Sequence, residues 1–307
     1  MGGYGDIVVM RLLNQTAQAT ELKKLGLREF NLLKLKKSIR KPNGMVLNTG
    51  PTGSGKTTTL YSAIKKIAKP ELKIITVEDP IEYQIDGILQ TQVNEAENYT
   101  FATALRNLLR QNPDIIMIGE IRDEETAKIA YQAALTGHLV LSTLHTNNAA
   151  GAVRRLANMG VGLADMASGT NNFMAQRLVR TLCPYCKRES RLSKDNTQQV
   201  EKILKSISPA TRIKIPVDYK LYEPVGCSKC HGLGYQGRVP VAEIIEIDEE
   251  MEQYITTDPT TTELHRKAIE KGMLSMGQDG VLRVIEGITT LEEVARVSDE
   301  VDIIDRQ

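Results

Sequence analysis

The stretch Gly50-Pro51-Thr52-Gly53-Ser54-Gly55-Lys56-Thr57 decides how the rest of this 307-residue chain is interpreted. It has the form G-x-x-x-x-G-K-[ST], a loop whose glycines let consecutive backbone N–H groups turn toward phosphate oxygens. Lys56 would bring positive charge to the β- and γ-phosphates, and the Thr57 hydroxyl would bind magnesium. The stretch, together with Thr58, is therefore predicted to bind an adenine or guanine nucleotide.

The flanking residues have the pattern that such a loop requires. Met45-Val46-Leu47 is a short apolar run typical of a buried strand, and residues 57–69 place apolar side chains at helical spacing before Pro70. The positive end of that helix dipole would attract a phosphate. A chance glycine-rich turn is the alternative interpretation, but it would not explain why a strand pattern precedes the loop and a helix pattern follows it.

Apolar runs and helical patterns alternate after the loop. Residues 74–77, 115–118 and 139–141 are predicted strands, and residues 99–111 and 123–136 are predicted helices. Fully apolar strands that alternate with helices indicate an α/β fold with a parallel sheet covered on both faces. In such sheets ligands bind at the carboxyl ends of the strands.

Polar residues follow each of these predicted strands. Glu82 lies beyond the first strand, Glu120 follows the second and His145 follows the third. Two carboxylates at neighbouring strand ends would position magnesium and the attacking water, and the histidine would contact the γ-phosphate. Each residue taken alone could instead be a helix cap or a solvated charge. Gly119 stands where phosphate-loop enzymes commonly have aspartate, so Thr57 is expected to be the main direct magnesium ligand.

Composition limits the class of protein. Hydrophobic residues make up 41% and charged residues 25% of the chain, which is ordinary for a globular protein. No apolar run reaches the roughly 18 residues of a membrane span, and no signal peptide is recognisable, so a cytoplasmic location is expected. The formal net charge of +1 and the aromatic content of 4% give little support to nucleic-acid binding.

The four cysteines form two C-x-x-C pairs, Cys183 with Cys186 and Cys227 with Cys230. Four thiolates at this spacing can fill a tetrahedral zinc site that leaves no open position. A redox pair and buried free cysteines are the alternatives. The intervening residues are predicted to form a small subdomain, with a polar helix within residues 190–210.

Four segments now make a family resemblance specific: the loop at 50–57, Glu78-Asp79-Pro80-Ile81-Glu82, Gly119-Glu120-Ile121-Arg122-Asp123, and residues 136–145. They resemble the Walker A, aspartate, Walker B and histidine boxes of the secretion ATPase superfamily. From about residue 6 to residue 297 the chain resembles the type II secretion and type IV pilus assembly ATPases. The four-cysteine module favours assembly motors over retraction motors, which lack it.

The resemblance implies an α/β fold: a RecA-like P-loop core with a parallel-type sheet flanked by helices, a four-cysteine zinc module and a small helical C-terminal region. Glu82 is implied to be the general base, Glu120 to act on magnesium or the water, and His145 to lie near the γ-phosphate. Arginines are implied to serve the nucleotide or a subunit boundary: Arg11, Arg106, Arg110, Arg122 and Arg238. For Arg106 and Arg110, four residues apart, an exposed helix face is the alternative.

The resemblance also implies a division of the chain. Residues 1–31 would be a remnant of a preceding domain, because family members carry that entire domain and this chain enters it near its end. Residues 32–181 would be the ATPase core, 182–240 the zinc module and 241–307 a largely helical C-terminal region. Within that region, short helices are expected to be punctuated by Gly272, Gly277, Gly280 and Gly287.

The expected function is ATP hydrolysis, with ATP, magnesium and zinc bound, in a homohexamer that powers pilus or pseudopilus assembly. The expected partner is an inner-membrane platform protein, with only peripheral association of the motor with the membrane. Two alternatives stay open. A nucleic-acid-stimulated RecA-like translocase would show strong stimulation and steep salt dependence. A regulatory module would bind ATP without hydrolysing it.

Overall fold

A seven-stranded sheet forms the centre of the protein, in the order β3-β2-β4-β5-β1-β6-β9. The computed structural model describes residues 21–216 and 218–301. The first six strands in that order are parallel to one another, and the last, β9, runs antiparallel to β6. A separate pair, β7 and β8, is antiparallel. The strands are β1 Gly44–Thr49, β2 Ile74–Glu78, β3 Leu89–Gln92, β4 Ile115–Ile118, β5 Leu139–Leu144, β6 Thr170–Leu182, β7 Arg188–Ser190, β8 Leu221–Glu223 and β9 Tyr235–Glu246.

Helices cover both faces of the large sheet. Helices α1 and α2 pack on one face, while α3 to α6, α8 and α9 contribute to the core on the other. The helices are α1 Glu29–Ser38, α2 Lys56–Ile67, α3 Phe101–Leu109, α4 Glu124–Leu135, α5 Ala149–Asn158, α6 Leu163–Gly169, α7 Lys194–Lys205, α8 Glu249–Thr256, α9 Thr261–Glu270, α10 Met276–Ile285 and α11 Leu291–Ala295.

Alternation along the central strands explains the two cores. In β1, Met45 and Leu47 enter one core, while Val46 between them enters the other. Successive strand residues point to opposite faces, so a strand between two helical layers must be apolar at every position. All six residues of β1 and all four of β4 are buried. The prediction of a parallel sheet covered on both faces is confirmed.

The predicted strands lie side by side, and their carboxyl ends meet at one edge. Strand β4 pairs in parallel with both β2 and β5, and β5 pairs in parallel with β1. The ends of these four strands are therefore brought to the start of α2, where the phosphate-binding motif lies. This edge places the polar residues that follow β2, β4 and β5 around the motif.

A third apolar core lies away from the sheet, between the cysteine-containing insertion and the C-terminal helices. Helix α7 falls within the predicted 190–210 helix and buries Val200, Ile203 and Leu204. These side chains meet α10 and α11, so the helix is amphipathic rather than polar all round. Strand β9, which crosses the predicted boundary at residue 240, completes the central sheet.

The expectation that all four C-terminal glycines punctuate helices is wrong for two of them. Gly272 and Gly287 follow α9 and α10 with φ of +91° and +66°, as helix-ending glycines do. Gly277 and Gly280 instead lie inside α10. A Cβ on Gly280 would come within 2.4 Å of a methyl carbon of Val294, and one on Gly277 within 2.7 Å of Glu300. Glycine is required at these two positions because Val294 and Glu300 pack closely against α10, not because the helix ends there.

We therefore expect Gly280→Ala to lower the free energy of unfolding by about 1–3 kcal/mol, the usual cost of overpacking. Intrinsic helix propensity alone would favour alanine by about 1 kcal/mol, so the two effects have opposite signs. Urea unfolding followed by circular dichroism measures the difference. Lys202→Ala, at an exposed position of α7, is the control and should change little. A Gly280→Ala protein as stable as the original would contradict the packing seen here.

Candidate active site

The motif at 50–57 forms a tight loop between β1 and α2. A Cβ on Gly50 would lie 2.6 Å from the carbonyl oxygen of Gln176, and one on Gly55 would lie 2.8 Å from its side-chain nitrogen. Gly55 also has φ of +86°, which disfavours other residues. At Gly53, with φ of +78°, a Cβ would meet no atom within 4 Å. The two ends of the loop are thus packed against the protein, and its middle is open.

The open side of the loop presents N–H donors. Among the described residues, no protein acceptor bonds the backbone N–H groups of Gly53, Gly55 and Lys56. Ser54 is buried, and its Oγ also has no partner there. Unpaired donors in a glycine-rich concavity at a helix N-terminus suit an anion such as a phosphate group. The loop therefore fits the triphosphate that its sequence predicts.

Lys56 is held by the loop itself. Its Nζ donates to the carbonyl oxygens of Gly50 at 2.7 Å and Pro51 at 3.0 Å. Burial lowers the pKa of Lys56, with the Glu120 charge acting in the opposite direction. Lys56 forms no ion pair with any carboxylate of the described residues, so no internal anion competes with a phosphate for its charge. Thr57 and Thr58 line the cleft above the loop, which is described below.

Gln176, in the middle of β6, fixes the loop from below. It is buried, donates to the Ser54 carbonyl at 2.8 Å, and accepts from the Thr59 hydroxyl at 2.8 Å. Asn48 of β1 donates to the same side-chain oxygen at 3.3 Å. The sequence prediction missed this residue. A lone amide after the apolar run at 173–175 was the available signal, because buried polar side chains are retained where they bond.

A cleft of about 620 Å³ opens above the loop and brings the predicted boxes together. Its lining includes the motif residues from Thr52 to Thr58 as well as Glu82, Glu120 and His145. Glu82 is half-buried, and the His145 side chain is half-exposed. The structure thus places all three strand-end residues around one cavity that also contains the phosphate-binding loop.

Glu120 is bonded by two basic side chains at the strand ends. It accepts from Arg122 Nε at 2.7 Å and contacts His145 Nε2 at 3.0 Å. Arg122 also pairs with Asp79 at 3.1 Å, so ion pairs and the His145 contact link the residues that follow β2, β4 and β5. The hydrogen bond to Glu120 is the main factor that raises the pKa of Arg122 above its usual value. These contacts orient the Glu120 carboxylate within the cleft.

Of the other predicted arginines, only Arg238 lines this cleft among the described residues. Arg106 and Arg110 are exposed, and Arg106 pairs with Glu125 of the neighbouring helix α4. Arg11 lies in the undescribed stretch. Arg238, on β9, does line the cleft. The roles of these arginines at a subunit boundary remain predictions.

The four cysteines meet at one point. Three of the distances between their sulfur atoms are 3.8–3.9 Å, and the sulfurs all lie within 4.8 Å of one another. A tetrahedral zinc site with Zn–S bonds of about 2.3 Å would have sulfurs about 3.8 Å apart. Burial opposes ionisation of Cys230, but N–H donors of Cys227 and Gly234 outweigh it and lower its pKa to about 6. No two of these sulfurs are at the disulfide bond length of about 2.05 Å, and their arrangement fits zinc.

Comparison with known proteins now identifies the family. The family model described as type II/IV secretion system protein matches residues 3–296. The chain belongs to this family. The type II secretion system protein E of Dickeya dadantii is 45% identical over 297 residues, which are 97% of this chain and 57% of that protein. The type IV pilus assembly ATPase PilB of Thermus thermophilus is 45% identical over 95% of this chain and 32% of PilB.

A solved structure of the pilus retraction motor PilT with bound ADP shares the fold. It superposes with a TM-score of 0.67 at 27% identity, covering 93% of this chain and 69% of PilT. The chain spans between about a third and just over half the length of the two curated family members above. Among the described residues, no helix has both the length and the apolar character of a membrane span.

Proposed function

We propose that this chain is the motor part of an ATPase that powers pilus or pseudopilus assembly in type IV pilus biogenesis or type II secretion. The observation that carries the proposal is the single cleft in which the phosphate-binding loop faces Glu82, Glu120 and His145. A phosphate loop alone would support binding. Carboxylates on the facing strand ends add the groups that hydrolysis needs.

The residues of the cleft divide the chemical work. Backbone N–H groups of the loop and the Lys56 ammonium would bind the phosphates of ATP. Thr57 and Glu120 are the residues that fit magnesium, either directly or through water, and the ion would neutralise developing phosphate charge. Glu82 would orient and deprotonate the attacking water, since it faces the loop from the end of β2. His145, held against Glu120, would contact the terminal phosphate.

The assembly is proposed to be a homohexamer that works against an inner-membrane platform protein from the cytoplasmic side. The four-part division at residues 31, 181 and 240 is proposed with it. The exposed positions of Arg106 and Arg110 leave both available to a neighbouring subunit, although Arg106 first has to leave Glu125. The residues of the cleft do not distinguish type IV pilus biogenesis from type II secretion.

The sulfur geometry supports zinc as a structural ion in the cysteine module. All four ligand positions would be filled by Cys183, Cys186, Cys227 and Cys230, which leaves none for a substrate. Zinc would therefore stabilise the insertion and take no part in hydrolysis.

Replacement of the loop lysine tests nucleotide binding. We expect Lys56→Ala to abolish measurable ATP binding in calorimetry, because the mobile positive charge at the phosphates is lost. Lys66→Ala is the matched control, since Lys66 is an exposed lysine near the other end of the same helix. Normal ATP affinity in the Lys56→Ala protein would remove the basis of the whole proposal.

Replacement of the proposed base tests hydrolysis separately from binding. Glu82→Gln should keep ATP affinity within about twofold and lower turnover by about 10²-fold or more, as expected when a general base is lost. Phosphate release measures turnover, and Glu97→Gln, at an exposed position outside the cleft, is the control. Unimpaired hydrolysis by Glu82→Gln would exclude Glu82 as the base and leave Glu120 as the remaining carboxylate candidate.

Metal analysis tests the cysteine module. Mass spectrometry of the purified protein should find one zinc per chain, and a Cys227→Ser/Cys230→Ser protein should contain none. The double variant should unfold at a lower temperature yet bind ATP, because the module is not part of the cleft. A stable metal-free protein with a cysteine disulfide would favour the redox interpretation instead.

A further inference from the structure

The segment that carries Glu82 is bonded by glutamine side chains of the neighbouring edge strand. This segment joins β2 to β3 and contains neither helix nor strand, so it lacks the regular backbone hydrogen bonds of those elements. Strand β3 lies at the edge of the sheet and pairs in parallel with β2. Gln90 and Gln92 are two residues apart on β3, and side chains at that spacing share one face of a strand. The same face of β3 therefore presents two amide groups to the segment.

Gln90 bonds the backbone on the C-terminal side of Glu82. Its Nε2 donates to the carbonyl oxygen of Tyr83 at 3.2 Å, and its Oε1 accepts from the N–H of Ile85 at 2.7 Å. One side-chain amide thus pairs with a main-chain acceptor and a main-chain donor of the same segment. These two bonds close a ring that restricts the backbone directly after Glu82.

Gln92 bonds the backbone on the other side of Glu82. Its Oε1 accepts from the N–H of Ile81 at 3.3 Å, the longest of the three main-chain bonds from β3. The three bonded groups are therefore one residue before Glu82, one residue after it and three residues after it. A shift of the Glu82 backbone away from its present place would break at least one of them.

The buried carboxylate of Glu78 fixes the orientation of the Gln90 amide. Gln90 Nε2 also donates to Glu78 Oε1 at 3.1 Å, so an amide turned the other way would place its oxygen against this carboxylate and against the Tyr83 carbonyl. Glu78 is 2% exposed, and its Oε2 accepts from the hydroxyl of Tyr61. Because Tyr61 belongs to α2, the helix that follows the phosphate-binding loop, the Glu78 carboxylate connects Gln90 to that helix.

We propose that Gln90, assisted by Gln92, is a positioning residue that holds Glu82 at its place relative to the phosphate-binding loop. The proposal rests on the proposed function, in which Glu82 is the base. Gln90 acts through the backbone of the segment and not on the reacting atoms. A displacement of about 1 Å at a reacting group can reduce a rate by about 10²-fold, so release of the segment lowers turnover. Phosphate binding belongs to the loop and Lys56 and is affected much less.

Gln90→Met tests the proposal because it keeps the approximate length of the side chain and removes its donor and its acceptor. We expect kcat for ATP to fall about tenfold or more, while KM and ATP affinity change less than about twofold. Gln84→Met is the matched control, since Gln84 is an exposed glutamine of the same segment, and it should change neither quantity. Equal, small losses of kcat in the two variants would show that position 90 has no special role and would overturn the proposal.

A double variant tests whether Gln90 acts through Glu82. In a Glu82→Gln protein the base is already lost, so adding Gln90→Met should lower the residual single-turnover rate by less than about twofold. A merely structural effect of Gln90→Met would instead lower the rate by the same factor with and without Glu82. A further tenfold loss in the double variant would therefore contradict the positioning role.

Hydrogen exchange gives a readout that does not depend on turnover. Gln90→Met should speed amide exchange in a peptide spanning residues 81–85 by about tenfold, and Gln84→Met should leave that peptide unchanged. Gln92→Met, at an exposed position, is a second variant in case Gln90→Met folds poorly, and it should act in the same direction to a smaller extent. Unaltered exchange at 81–85 in a folded Gln90→Met protein would overturn the proposal, whatever its rate of hydrolysis.

The proposed function and the role of Gln90 can fail separately. A chain that never hydrolyses ATP contradicts the proposed function, and the exchange comparison then still decides whether Gln90 holds the segment. A chain whose hydrolysis depends on Glu82, yet which tolerates Gln90→Met in both kcat and exchange, contradicts only the positioning role.

Discussion

The close approach of β6 to the loop between β1 and α2 is the constraint on which the site depends. Gln176 fills the space where side chains at positions 50 and 55 would lie, so both positions must be glycine. The side-chain amide of Gln176 also donates to the Ser54 carbonyl, which turns the loop so that its N–H groups face outward. Those donors would be costly if buried without acceptors, whereas a phosphate at the cleft satisfies them. Binding chemistry and loop shape thus have one cause.

Local patterns were enough to predict the part of the fold that carries the boxes. Strands β2, β4 and β5 are apolar runs that end in polar residues, and parallel pairing brings their ends together without further information. The positions of Glu82, Glu120 and His145 around one cleft follow from that rule. The information used for this prediction is local in sequence: an apolar run of a few residues and the polar residue that follows it.

The missed features depend on contacts between distant segments. The antiparallel pairing of β9 with β6 joins residues on either side of the cysteine module, and no local pattern determines it. Gln176 is informative only when the loop it supports is known to lie next to it. Gly280 looks like a helix breaker in sequence, but its role becomes clear when Val294 is placed against it. In each case tertiary packing overrides the local preference.

Buried carboxylates attach the C-terminal region to the core. Asp279 of α10 is fully buried, bonds Arg28 at 2.6 Å and accepts the Ala242 N–H of β9 at 3.0 Å. Glu243, next along β9, accepts the first N–H groups of α5 and α10 at 2.7 Å and 3.1 Å. Such groups need every partner, because removing one leaves a buried charge uncompensated. The residue before α1, strand β9 and helix α10 are thereby held together.

These attachments matter for the proposed motor because they decide which parts can move. A segment that joins the core through a buried, fully bonded carboxylate is expected to move with the core as one body, since separating the two would expose unpaired charge in an apolar setting. By contrast, the network from Asp79 through Arg122 to Glu120 and His145 is partly solvent-exposed, so its ion pairs can rearrange at small cost. Binding or hydrolysis of the nucleotide would therefore first rearrange the ion pairs at the carboxyl ends of the strands. The buried network would carry the C-terminal helices along with the sheet.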